Sequence, residues 1–96
     1  MAAYIIFIRD GEILDQDAMQ AYIDTNAKGP KSDIMKPVII YGETTALEGD
    51  APDGVVVLQF PDMAAAKAWY ESPHYQEAIP HRKRAAPYRV FMVEGL

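Results

Sequence analysis

The feature that most constrains this chain is a set of short strands that are apolar on both faces. Ala3-Tyr4-Ile5-Ile6-Phe7-Ile8-Arg9 is rich in β-branched and aromatic residues and reads as a first strand. One face carries Tyr4, Ile6 and Ile8, the other Ala3, Ile5 and Phe7. Val55–Phe60 and Tyr88–Glu94 are similar runs. Strands of this kind must be covered on both sides.

Gly, Pro and Asp divide the rest of the chain. Asp15 is a plausible N-cap, and Asp17 follows where a carboxylate suits the helix dipole. Met19, Tyr22, Ile23 and Asn26 then recur at helical spacing, and the helix ends near Lys28-Gly29-Pro30. A short turn is expected from Ser32 to Met35. Lys36–Tyr41 reads as a second strand, continued past a bulge or bend at Gly42 by Thr44–Leu47. The loop Glu48–Gly54 then joins it to Val55–Phe60 as an antiparallel hairpin.

Asp62 looks like an N-cap for a helix over Met63–Glu71. Ser72 can cap another, with Pro73 in its first position. Pro80 removes a helical hydrogen bond, so a kink or a split is expected there. The resulting order is β-α-β-β-α-β. The expectation is a single α+β domain over residues 1–96, ferredoxin-like, with a four-stranded antiparallel sheet and helices on one face. Helices on one face cannot hide Tyr4, Ile6 and Ile8 as well as Ile5 and Phe7. A second copy of the sheet, packed by two-fold symmetry, is the economical cover, so a homodimer through the sheet face is expected.

Composition narrows the partners. The 96 residues carry a net charge of −5, which makes nucleic acid and anionic membranes poor partners. The absence of cysteine excludes a disulfide framework, a thiolate metal site and a cysteine nucleophile. The apolar N-terminal run lacks a basic n-region and reads as a strand, not a signal peptide, so the cytoplasm is the expected compartment. The basic run His81-Arg82-Lys83-Arg84 reads either as a solvated helix face or as a small-anion site.

The segment Phe60-Pro61-Asp62-Met63-Ala64-Ala65-Ala66-Lys67-Ala68-Trp69-Tyr70-Glu71-Ser72-Pro73-His74-Tyr75 resembles the signature of the bacterial family "domain of unknown function 1330". In that family a strand ending in Phe-Pro precedes a helix that ends in an aromatic-Tyr pair, an acidic residue, Ser-Pro and Tyr. The family's arginine seven residues after that Tyr falls on Arg82. Tyr22, Gly42, Leu47-Glu48-Gly49 and Val93-Glu94-Gly95 are further points of similarity. The resemblance implies the dimeric α+β barrel superfamily, which includes cofactor-independent monooxygenases, isomerases and haem-binding proteins. One departure is Met35-Lys36-Pro37, where relatives often carry a Gly-Gly-Arg turn.

The candidate site is a pocket between helices and sheet lined by Tyr22, Asn26, His74, Tyr75 and Arg82, with Arg9 beside it. Arg82 shares a helical face with Tyr75 and Ile79, so it reads either as an inward side chain or as one snorkelling to water. An inward arginine needs an anion: a ligand, or a carboxylate such as Glu71, Glu77 or Asp24. His74 and Arg82 are the catalytic candidates, His74 because an imidazole titrates near neutrality, although a surface histidine near a helix start is its commoner reading. His74 and His81 have no third ligand at metal-binding spacing, so no metal is expected. Trp69 and Tyr70 read as core or as a stacking wall. The pairs Asp15/Asp17 and Asp50/Asp53 read as capping and loop residues. There is no Gly-rich phosphate loop, Gly-x-Ser-x-Gly elbow or nucleotide fingerprint, and no cofactor is expected. Three functions remain open: an enzyme on a small organic molecule, with isomerase- or monooxygenase-like chemistry by fold analogy; a small-molecule binding or sensing module; and a structural dimerisation domain.

Overall fold

A computed structural model describes all residues, Met1–Leu96. Four strands, β1 (Ala3–Arg9), β2 (Lys36–Ile40), β3 (Gly54–Phe60) and β4 (Tyr88–Glu94), form one sheet in the order β2-β3-β1-β4. All three pairings are antiparallel. Helices α1 (Gln16–Lys28), α2 (Met63–Tyr70) and α3 (Pro73–Ala85) complete the chain. Each begins at a side chain that accepts a backbone N–H of the first turn: Asp15 from Ala18, Asp62 from Ala65 and Ser72 from Tyr75.

Alternation along the strands assigns the faces. Ala3, Ile5 and Phe7 of β1 and Val56, Leu58 and Phe60 of β3 are buried beneath Ala66, Tyr75, Ala78 and Ile79 of the helices. The other face carries Tyr4, Ile6 and Ile8, opposite Gln59, Val57 and Val55 in β3. On the same face stand Val93 and Phe91 in β4. No helix covers them: Phe91 is 43% and Val93 42% exposed.

Helices α1 and α3 run antiparallel and are tied at both ends. The Leu14 amide donates to the Ala85 carbonyl, and His74 reaches the Asn26 carbonyl at the other end. Between the ties, Ala18 and Met19 pack with Ala85.

Two expectations are corrected. β2 stops at Ile40, and Thr44–Leu47 form no strand. Ile40 pairs with Val56, so β3 has only Val55 and Gly54 left to offer, and a longer β2 would run past the end of its partner. The irregularity in β2 lies between Pro37 and Ile39, not at Gly42. The chain leaves the sheet at Tyr41, whose φ of 50° is left-handed. Second, α3 runs unbroken through Pro80. Buried side chains flank the proline on both sides, namely Tyr75, Ala78 and Ile79 before it and Arg82 and Ala85 after it, and their packing holds the helix together. No helix is long and apolar enough to cross a membrane.

Candidate functional site

A cavity of about 600 Å³ lies between the α1–α3 pair and the β2–β3 side of the sheet. That volume is typical of small-molecule sites. Phe7, Val56 and Leu58 form its floor, Trp69 and Met35 its apolar walls, and Tyr41 and Tyr88 one end. Of the residues singled out from the sequence, Tyr22, Asn26, His74 and Arg82 line it. Tyr75 stands one layer behind them, wholly buried.

Arg82 dominates the electrostatics. It is 4% exposed, and no carboxylate lies within ion-pair distance of it. The three carboxylates that helix spacing offered it are elsewhere. Glu71 faces Lys67 in a loose pair at 3.9 Å, Asp24 accepts from Gln20, and Glu77 is exposed. The guanidinium lies over the rings of Phe7 and Tyr88, with centroid distances of 5.9 and 5.5 Å. Such contacts favour a desolvated cation but do not neutralise it. Its Nε is sealed from solvent and has no hydrogen-bond partner. The basic run therefore divides. Arg82 turns inward, while Lys83 and Arg84 are exposed and Arg84 donates to His81 Nδ1 at 2.6 Å.

Two tyrosine pairs frame the cavity. The hydroxyls of Tyr22 and Tyr75 are 2.8 Å apart, and those of Tyr41 and Tyr88 2.7 Å apart. Burial pushes the Tyr75 phenol up, and the neighbouring Tyr22 adds to the effect, while Arg82 opposes it. Tyr22 is raised by burial against the opposing hydrogen bond from Tyr75. Tyr41 is raised by burial and by its bond to Tyr88. All three are therefore neutral hydrogen-bonding groups at physiological pH, and none is a phenolate. Tyr41 and Tyr88 sit at the ends of the two outermost strands, so their hydroxyls meet across the sheet. Gly54 leaves room for the Tyr41 ring, which a β-carbon there would crowd at 3.0 Å.

His74 is placed by its packing. Its Nε2 is 3.1 Å from the Asn26 carbonyl, which can only accept, so Nε2 carries a hydrogen and donates. The ring lies directly against Gly29, where any β-carbon would collide with it. Gly29 has φ of −80°, so close approach and not backbone conformation requires glycine there. His81 lies on the surface with Arg84, away from these partners.

Arg9 stands apart from the other candidates. Its Nη1 and Nη2 donate to the carbonyls of Gly11 (2.7 Å) and Asp53 (3.0 Å), and it is absent from the cavity lining. Asp53 in turn accepts from the Gly11 amide at 2.6 Å, so Arg9 and Asp53 fasten two loops together. Trp69 fulfils both of its readings. Its ring lies 4.3 Å from that of Tyr75 in the core and also forms cavity wall. Tyr70 packs against the core and is absent from the lining of this cavity. The sequence reading missed Met35, Tyr41 and Tyr88. The signal that could have found Tyr88 is its place opposite Arg9 on the helix-covered face of β4, two residues before Val90.

Sheet order and one-sided helices define a ferredoxin-like α+β protein with a cationic, aromatic-walled cavity. Residues 2–96 match the model of the family described as "Domain of unknown function (DUF1330)", and the chain belongs to that family. Solved structures share its fold. A protein of unknown function from Rhodopseudomonas palustris is 20% identical, with a TM-score of 0.66 over 99% of this chain and 82% of that one. A dimeric ferredoxin-like protein of unknown function from Jannaschia sp. CCS1 is 15% identical, with a TM-score of 0.65 over 99% and 100%. A structure described as an antibiotic biosynthesis monooxygenase is 14% identical, with a TM-score of 0.59 over 100% and 99%. At these identities the likeness is one of fold. No curated protein matches the sequence.

Proposed function

We propose that the chain binds a small organic anion in the helix–sheet cavity, with the ligand's charge on Arg82 and its body against Trp69, Met35 and Leu58. The observation that carries this reading is a buried arginine bordering the cavity with no carboxylate partner. A cation removed from water without a counter-charge is costly, and an anionic ligand offsets that cost. The volume of about 600 Å³ speaks against a purely structural, fully packed helix–sheet interface. His74, Tyr22 and Asn26 are the other residues proposed to meet the ligand, with Tyr75 supporting Tyr22. Arg9 is left out of the proposed contacts because backbone carbonyls occupy its guanidinium.

The reading includes a homodimer in which the uncovered faces of two sheets pack together. The half-exposed apolar side chains of that face and the dimeric state of the Jannaschia protein support it.

Calorimetric titration of a panel of small carboxylates and phenols tests the ligand reading. At least one carboxylate is expected to bind, and Arg82→Ala to weaken it by at least about tenfold. Arg82→Lys, which keeps the charge, is expected to retain part of the affinity. Equal affinity in wild type and Arg82→Ala, with both variants folded by circular dichroism, would refute the assignment.

A further inference from the structure

The hydroxyl pair Tyr22–Tyr75 has a direction that the residues around it determine. Tyr75 is wholly buried, and its hydroxyl has one hydrogen-bond partner, Tyr22. Arg82 also acts on Tyr75 through its positive charge. A guanidinium has donors and no acceptor, so it cannot take the Tyr75 proton. The only acceptor within reach is the Tyr22 oxygen. The opposite orientation would leave a buried O–H without a partner, at a cost of roughly 1–3 kcal/mol. Tyr75 therefore donates and Tyr22 accepts. The proton of Tyr22 is then uncommitted, on a half-buried side chain that lines the cavity.

The charge of Arg82 polarises Tyr75, and Tyr75 polarises Tyr22, so each makes the next a stronger donor. This arrangement presents one full positive charge and one sharpened hydroxyl donor to the cavity. The sealed Nε of Arg82 leaves only the far end of the guanidinium for a ligand. The other cation on the lining is Lys31, which is exposed. A dianionic phosphate would remain half neutralised here, whereas a monoanion is matched. The rings of Phe7, Trp69 and Tyr88 on the lining favour a flat apolar body.

We infer that the ligand is an organic monocarboxylate with a flat, apolar body, and that Tyr22 donates the second hydrogen bond to it, with Tyr75 as the positioning residue that orients the Tyr22 hydroxyl. This rests on the cavity and Arg82 reading above.

The test compares acid and amide partners, benzoate with benzamide and phenylacetate with phenylacetamide, and adds phenyl phosphate. Binding is measured by calorimetry to wild type, Tyr22→Phe, Tyr75→Phe and the double variant. The acids are expected to bind more tightly than their amides and than phenyl phosphate. Tyr22→Phe is expected to weaken acid binding by about tenfold, as for the loss of a hydrogen bond to a charged group. Tyr75→Phe is expected to weaken it by about threefold to tenfold. The double variant should be no weaker than Tyr22→Phe alone, because Tyr75 acts through Tyr22. Amide affinities should fall less than acid affinities, because a neutral carbonyl takes a weaker hydrogen bond from the same hydroxyl, whereas a merely structural effect of Tyr75 would weaken both alike. If Arg82→Ala binds the acids as wild type does, the anion site itself is wrong. If Arg82→Ala loses the acids but Tyr22→Phe and Tyr75→Phe keep them, only the donor assignment falls. Tighter binding of phenyl phosphate, or of the amides, overturns the carboxylate class.

Discussion

At the scale of single residues, the cavity is governed by groups whose protonation the fold holds fixed. Tyr22 and Tyr75 both have phenols raised above the ordinary 10.0 by burial. A raised acid favours the folded state while it stays protonated. That contribution is complete below pH 10.0, the unfolded value, and is lost as pH climbs toward the folded values. Denaturant melts across the alkaline range should therefore show stability level through neutrality and falling above that point. Tyr75→Phe should flatten the alkaline limb by up to about 1.4 kcal/mol per pH unit, one proton's worth. An unchanged slope would show that Tyr75 ionises alike in both states. Much of the site was legible at this scale. Arg82 shares a helix face with Tyr75 and Ile79, a spacing that left it a choice between core and water, and it is buried. Arg9 was not legible, because its partners are backbone carbonyls, one two residues away at Gly11 and one in the distant loop at Asp53, and no side-chain pattern reports those.

At the scale of elements, capping side chains and apolar alternation located the ends of the helices and strands closely. The failures have specific physical causes. Thr44–Leu47 has strand-like residues but no strand to pair with, since the length of β3 limits β2. Local propensity carries no information about the partner's length. Pro80 illustrates the reverse case, where tertiary packing overrides a local breaker. Proline there leaves the Gln76 carbonyl without its helical donor, and both residues are exposed. Pro80→Ala should restore that bond and stabilise the protein by about 1–3 kcal/mol in chemical denaturation. A loss of stability would mean that the ring itself is needed where it lies.

At the scale of the whole molecule, three helices cover one side of a four-stranded sheet and leave the other bare. The strand pattern carries this burial problem in itself: Ile6 and Ile8 cannot share a cover with Ile5 and Phe7, and they do not. Light scattering coupled to size exclusion should return twice the chain mass of 10.7 kDa. Phe91→Lys, halfway along β4 on the bare face, should shift the protein to monomer while leaving its circular dichroism intact. A monomeric wild type at micromolar concentration would remove the face-to-face dimer.

The irregularity in β2 bears on which assemblies are open to such a sheet. β2 is an outermost strand, and all five of its residues are exposed. An outermost strand with unsatisfied amides is a template on which another chain can add, copy after copy, into a fibre. Here Pro37 removes one amide, Lys36 adds a charge, and the register shift between Pro37 and Ile39 spoils the regular spacing that an incoming strand would need. Lateral growth from this side is discouraged, which fits the closed pair proposed above better than open-ended stacking.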